Sequence, residues 1–462
     1  MSFIKKGGTA LRRPFMIGLF LLGGFMKNQE KSFQSKVGFI LASVGSAVGM
    51  ANIWMFPYRV GQNGGASFLL IYLFFIIVFS NLGLSAEFAI GRFAQTGTLG
   101  SYELAFEDKG KKKFGSKIGF LPLLGSLGIA TGYAIIAGWV LRTFFAALTG
   151  SLFKVDSQVF FNQATGQFGS LIWHFAIVII TLLTLFLGAK SIEKTNKLMM
   201  PIFFILFFLI AIRGSFLPNA KEGYRYLFVP DWSYLLKPMT WVNAMGQAFF
   251  SLSITGSGMI VYGTYLSKKE DILSVARYTA LFDTMASLLS ALVVIPASFA
   301  FGIEPSAGPP LMFITMPKIL AQIPFGRLIA IFFFLSVVFA AISSLQNMYE
   351  VVLESVKNRF NLSRTKSLFL IGLITLAVGV FLEREPVVGS WMDVISIYII
   401  PFSALLGAFS WFYMWDRSNF EKELNQGRNK PVKPIYFTLG RYLYVPIALV
   451  IFILGIVYGG IG

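Results

Sequence analysis

Apolar runs of about 20 residues, the length that crosses a bilayer as a helix, recur along the whole chain with short polar segments between them. The pattern predicts eleven spans, near 37–62, 66–93, 118–148, 169–188, 195–214, 240–267, 272–303, 327–356, 364–382, 389–415 and 438–460. Two are interrupted. In GSAVGMANIWMFP (Gly45–Pro57) and SLSITGSGMIVY (Ser251–Tyr262) the middle of the span is filled with Gly, Ala, Ser, Thr and Asn. Such residues weaken a helix interior and suit a chain that unwinds at mid-membrane, offering bare backbone to a ligand or ion. A matched pair of broken spans in two halves of a chain points to the binding site of a transporter.

Composition agrees with a bilayer as the solvent. Of 462 residues, 56% are hydrophobic and only 13% charged, and the mean hydropathy is +0.71. The formal net charge of +18 does not read as a nucleic-acid footprint, because the cations sit in short segments between spans. Alternate loops read EDKGKKKFGSK (107–117), KSIEKTNK (190–197), SKKED (267–271), KNRFNLSRTK (357–366) and DRSNFEKELNQGRNKPVKP (416–434). By the positive-inside rule these face the cytoplasm, so the N-terminus is inside and Gly462 outside. The plasma membrane of a bacterial cell is the expected location.

Residues 1–25 have a basic start and a short apolar run, like a signal peptide. A cleaved signal would put residue 37 outside, against the loop charges. Met26, which opens MKNQEKSF, reads as the true start, with 26–462 a single transporter domain. Its repeats would cover about 37–214 and 240–415, with a final helix near 438–460.

Enzymatic chemistry has little to work with. The chain has no cysteine and one histidine. His174, near one end of a span, reads as interfacial or packing, since no second metal ligand is in view. Among the acids within spans, Glu87, Asp283 and Asp393 stand out. Intramembrane acids are expensive and face a polar interior, and Asp283 could balance a bound cation or pair with Arg277. An unwound run at Gly45–Asn52 frees carbonyls which, with Asn52, could cage a desolvated Na⁺. The half-helix restarting at Ile53 would point its amides at a carboxylate. Hydroxyls accompany the second break at Ser251, Ser253, Thr255 and Ser257, and the eighth span carries Ser343 and Ser344.

The motifs GSAVGMANIWMFPYRVGQNGGASF, AEFAIGR, GYAIIAGW, FFSLSITGSGMIVYGTYL and FAAISS resemble those of the neurotransmitter:sodium symporter family over nearly all of residues 33–460. Eleven spans make the chain most similar to the family's bacterial carriers of large hydrophobic amino acids. The resemblance implies an all-α polytopic membrane protein of the LeuT fold. This has five-plus-five inverted-repeat helices and an eleventh helix, with helices 1 and 6 unwound at mid-membrane. It implies two sodium sites. The first would use the Ala47 carbonyl, Asn52, Ser251, Asp283 and the substrate carboxylate. The second would use the carbonyls of Gly45, Val48 and Ala340 with Ser343 and Ser344. The substrate carboxylate would meet the amides near Ala51 and the Tyr133 hydroxyl, and its ammonium the carbonyls of Ala47, Phe250 and Ser251. Met50, Ile129, Phe250, Ser253, Gly256, Ser344 and Met348 would surround the rest of the substrate.

Departures from the family pattern sharpen the expectation. Gly256 replaces a Phe that narrows the pocket in leucine carriers, which favours large aliphatic or aromatic L-amino acids. Met55 replaces the outer-gate Arg, so the usual pair with Asp393 cannot form. Phe33 replaces a Trp and Glu30 or Lys31 an Arg at the inner gate, while Ser191 replaces a Gly preceding Pro201. Animal relatives bind chloride with residues matching Tyr72, Gln247, Ser251 and Ser287; Asp283 already supplies a negative charge there, so chloride is not required. The expected function is sodium-coupled amino-acid import by alternating access. A proton-coupled carrier or a non-transporting sensor of the same fold are the alternatives. Oligomeric state is not encoded in these patterns.

Overall fold

The computed structural model describes residues 33–302 and 310–460. Met26, Glu30 and Lys31 lie outside that range. Among the described residues the chain forms helices and turns, with no strand. Span 1 is the bent pair Lys36–Ala47 and Ala51–Gln62. Eight single helices are long and apolar enough to cross a membrane: Ala66–Ala94 (span 2), Lys112–Thr149 (span 3), Ala189–Ser215 (span 5), Ile272–Ala300 (span 7), Gly326–Phe360 (span 8), Arg364–Leu382 (span 9), Glu385–Met414 (span 10) and Ile435–Tyr458 (span 11). Leu171–Leu185 (span 4) is shorter than its apolar run predicts. Span 6 is two pieces, Pro238–Ser251 and Gly258–Thr264. The predicted order therefore stands, although spans 4 and 6 do not reach full crossing length as single helices.

Spans 3 and 5 begin at Lys112 and Ala189, inside segments that the charge pattern assigns to loops. Lys and Glu are good helix formers, so a helix leaving the hydrocarbon need not stop at its first charge. Span 5 is helical through Ser191. Large apolar side chains on the outside of the bundle, among them Ile172, Leu183, Leu198 and Phe369, are more than 60% exposed. They form the surface that lipid covers.

Spans 1, 5 and 8 pack against one another in the interior, span 3 packs against span 8, and the second half of span 6 packs against span 2. That last contact depends on glycine. A Cβ at Gly91 would lie 2.0 Å from the Ile260 carbonyl oxygen, and one at Gly263 would lie 2.5 Å from that of Phe88. The two backbones meet without side chains between them, as small residues permit in membranes.

The basic segments gather at one end of the bundle and are joined there by buried ion pairs. Arg92, fully buried at the end of span 2, pairs with Glu423 of the connecting helix Arg417–Asn425. Its guanidinium also donates to the carbonyls of Ser267 (3.2 Å), Glu270 (2.7 Å) and Glu423 (2.6 Å). Arg364 grips Glu350 through two bonds of 2.9 and 2.6 Å, and the Tyr265 hydroxyl donates to the same carboxylate. Beside them Phe33 packs against Phe39, Tyr262 and Tyr265 at centroid distances of 5.2–5.9 Å. Arg277 is hydrogen-bonded to Asn81 at 2.8 Å and does not pair with Asp283.

His174 departs from the interfacial position. It is fully buried, and its Nδ1 lies 2.8 Å from Glu383 Oε1 at the junction of spans 9 and 10. One apolar face of span 4 carries this polar group inward, and the partner lies 209 positions away in the chain.

Removing one member of a buried pair strands the other charge, which costs about 3–5 kcal/mol. Glu423→Ala is therefore expected to lower the thermal unfolding midpoint in detergent by several degrees, as read by intrinsic fluorescence. Lys112→Ala, which removes the exposed pair with Glu107, is expected to leave it unchanged.

Candidate functional site

The first helix of span 1 ends at Ala47, and its continuation from Ala51 is turned by 63°. The break is narrower than the sequence suggests. The first half keeps its helix through Gly45–Ala47 and the second restarts at Ala51, two residues before Ile53. Backbone groups freed there find side chains. The Gly49 amide donates to Asn52 Oδ1 (2.8 Å), the Met50 amide to the Tyr133 hydroxyl (2.9 Å), and the Ser344 hydroxyl to the Val48 carbonyl (3.2 Å).

Span 6 opens between Ser251 and Gly258. Here a carboxylate from span 2 holds the backbone: Glu87 accepts from the amides of Gly256 (2.7 Å) and Met259 (3.0 Å). The Tyr102 hydroxyl donates to the Gly256 carbonyl at 3.0 Å. Gly256 is thus corrected as a pocket residue. It has φ +73°, and a Cβ would fall 2.4 Å from the Ser403 carbonyl oxygen and 2.8 Å from the Tyr102 hydroxyl. Its missing side chain serves close backbone approach on the far side of the break and adds no room to the cavity.

Residues from three spans meet beside these breaks. Asn52 Nδ2 faces Asp283 Oδ1 (2.7 Å), Ser287 Oγ (2.8 Å) and Ser251 Oγ (3.1 Å), and Ser251 donates to Asp283 Oδ2 (2.7 Å). All four are buried. Ala47 ends the adjoining half-helix. The other predicted group also comes together, between spans 1 and 8: Ser344 bonds to the Val48 carbonyl and Ser343 to that of Ala340 (3.0 Å). Gly45 packs against Ser343, where a Cβ would stand 3.0 Å from the serine Cβ and 2.0 Å from Asn196 Oδ1. Asn196, on span 5, was not singled out by the sequence. Its amide is held by Gln346 (2.7 Å) and the Ile192 carbonyl (2.9 Å), leaving Oδ1 buried and without a partner among the described residues.

A cavity of about 560 Å³ opens between the two breaks. Of the residues expected around a substrate, Met50, Ala51, Ile129, Tyr133, Phe250, Ser253, Ser344 and Met348 line it, and Met55 and Asp393 lie on its walls. Ala47, Ser251 and Gly256 are not among its lining residues. Ser251 instead faces Asp283. The sequence reading missed Ser46, Trp54, Arg59, Ser126, Trp139 and Asn347, all of which line the cavity. For Asn347 a signal was present: it stands three residues after Ser344, on the same helical face.

The pattern that models the sodium:neurotransmitter symporter family matches residues 30–165 and 155–458. The chain belongs to the sodium:neurotransmitter symporter family. This family member is 32% identical to the uncharacterized sodium-dependent transporter YhdH of Bacillus subtilis (strain 168) over 457 residues, covering 93% of this chain and 99% of that protein. It is likewise 32% identical over 427 residues to an uncharacterized sodium-dependent transporter of Methanocaldococcus jannaschii, covering 86% and 85%. Among solved structures, MhsT in complex with L-phenylalanine superposes with a TM-score of 0.81 at 32% identity, covering 92% of this chain and 99% of that one. The symporter accordingly has the LeuT fold, is a multi-pass membrane protein and uses sodium.

Glu87→Ala would leave the Gly256 and Met259 amides buried without an acceptor, at about 1–3 kcal/mol each. The variant is expected to unfold at lower temperature in detergent, while Glu87→Gln, which keeps a carbonyl acceptor, loses less. A thermal unfolding series on the three proteins reads the order directly.

Proposed function

We propose that this symporter imports a large hydrophobic or aromatic L-amino acid with two sodium ions by alternating access. The observation that carries the reading is the junction of both broken spans, where Asp283, Ser251 and Asn52 meet next to the cavity-lining residues Ala51 and Phe250. Turning the Asn52 carboxamide over, which exchanges its bond from the Gly49 amide for one to an ion, would present its oxygen, and the set becomes the hard-oxygen environment that suits a small cation. The second ion would take the carbonyls of Gly45, Val48 and Ala340 with Ser343 and Ser344. An ion shared with the substrate carboxylate makes each ligand's affinity depend on the other, by linkage.

Large side chains are supported by the cavity's volume and by aromatic walls at Trp54, Trp139, Phe161 and Phe250, and by the L-phenylalanine named with MhsT. The contribution expected of Gly256 falls away. We place the protein in a bacterial plasma membrane with the N-terminus cytoplasmic and the C-terminus outside, two inverted repeats occupying about 37–214 and 240–415. Asp283 supplies a fixed negative charge next to Ser251 and Ser287, so chloride is not needed.

Equilibrium binding of labelled tryptophan and leucine to the purified protein tests this. Binding is expected in Na⁺ and lost in K⁺; sodium-indifferent binding that follows pH would make the carrier proton-coupled. Ser343→Ala with Ser344→Ala is expected to raise the sodium concentration for half-maximal binding about tenfold or more, as a binding titration would show. Replacing chloride by gluconate is expected to leave uptake into proteoliposomes intact, and a collapse would restore a chloride requirement.

A further inference from the structure

Two stripes of outward side chains meet on spans 2 and 7. On span 2, Phe74, Ile77 and Asn81 recur at helical spacing, and on span 7 Arg277, Leu281 and Met285 do the same. Asn81 is partly exposed and the other five are exposed. Both stripes carry their polar residue at the same end, where the Arg277 guanidinium donates through Nε to Asn81 Oδ1 at 2.8 Å. That end is the basic one, because span 7 starts at Ile272, directly after the segment SKKED. Asp283 marks the level of the broken spans through its bonds to Asn52 and Ser251. Arg277 lies six residues nearer the basic end, about 9 Å along the helix. With a hydrocarbon half-thickness of about 15 Å, its long side chain reaches the headgroups of the leaflet on that side.

The guanidinium is held in one orientation. Asn81 sits in a π-helical turn, Ser80–Leu84, against which span 7 packs, and its Nδ2 donates to the Ile77 carbonyl at 2.7 Å. This fixes the carboxamide, and Oδ1 in turn fixes Arg277 Nε. Nη1 and Nη2 are left without a partner among the described residues. At the same end Arg92, Arg364 and Arg428 each pair with a carboxylate. No ion pair among the described residues includes Arg277. A guanidinium at the edge of the hydrocarbon is costly without a counter-charge, and on an outward face the bilayer supplies one.

We propose that Arg277 and Asn81 form a binding site for an anionic phospholipid. The lipid phosphate accepts from Nη1 and Nη2 of Arg277 as a bidentate partner, and the acyl chains lie along Phe74, Ile77, Leu281 and Met285. Charge and shape agree on this occupant. The face has a cationic end at headgroup depth and an apolar course toward mid-membrane, whereas a soluble phosphate would use only the first. A bound lipid bridges spans 2 and 7, and so steadies the helix that carries Asp283. The inference is independent of what the cavity holds.

The test is lipid retention by native mass spectrometry, together with thermal unfolding in detergent. The probes are dioleoylphosphatidylglycerol, dioleoylphosphatidylcholine and inorganic phosphate. Phosphatidylglycerol is expected to stay bound and raise the unfolding midpoint by several degrees, phosphatidylcholine to do so far less, and phosphate not at all. Arg277→Gln is expected to weaken phosphatidylglycerol binding about tenfold, since a bidentate charge-assisted contact is lost. Arg277→Lys keeps the charge without the fork and is expected to weaken it less. Lys113→Gln, which removes an exposed cation of a basic loop, is expected to bind the lipid like the unaltered protein. Equal losses in Arg277→Gln and Lys113→Gln would report diffuse attraction to the basic end and overturn the site. Full affinity in Arg277→Gln would overturn it too, as would a phosphatidylcholine effect matching that of phosphatidylglycerol. An equal response to inorganic phosphate would leave an anion site without a lipid, which also defeats the proposal. Should Arg277→Gln fail to fold, Arg277→Lys and the comparison of lipids on the unaltered protein still decide.

Discussion

A helix interrupted inside a bilayer must have its freed backbone groups bonded by something other than water, and the rest of this structure is arranged around that need. Four side chains answer it. Glu87 takes the amides that open the second half of span 6, Asn52 and Tyr133 take two amides of span 1, and Ser344 bonds a carbonyl. Each comes from a different helix or from the far side of the break, so the unwound segments exist only in the assembled bundle. The same bonds set where the cavity lies, because Tyr133 and Ser344 are at once backbone partners and wall residues.

Satisfying the breaks places unlike chemistries side by side. Asp283 lies among neutral oxygens and an amide from spans 1 and 6, and Ala51 and Phe250, the chain neighbours of Asn52 and Ser251, line the cavity. That proximity makes coupling between an ion and a ligand a local matter. At the basic end, Arg92 with Glu423 and Arg364 with Glu350 tie spans 2, 8 and 9 and the connecting helix Arg417–Asn425 together. Buried pairs of this kind are costly to break singly. Tyr265, whose hydroxyl bonds Glu350, packs there with Phe33, which also stacks on Tyr262.

Much of the architecture was legible from hydropathy, because the bilayer imposes a length and composition on every span. The two breaks announced themselves by Gly, Ser, Thr and Asn where bulky apolar residues were expected. Helix ends were less legible: Lys112 and Ala189 begin helices inside basic segments, since charge marks the membrane boundary and not the end of a hydrogen-bond ladder. Gly256 shows a different limit. A missing side chain can mean room for a ligand or room for a backbone, and the letter alone does not say which side of the chain the absence faces.

By itself, then, the sequence determined that this chain crosses a membrane many times, that two crossings unwind, and that acids and hydroxyls gather near the unwinding. Those properties follow from local composition read against one solvent. Only the tertiary structure decided that Glu87 serves span 6, that His174 turns inward to Glu383, and that Gly256 faces Tyr102 and Ser403. Each of these depends on which face of one helix meets which face of another. Partners separated by 169 positions in the first case and 209 in the second leave no periodicity in the sequence through which they could be found.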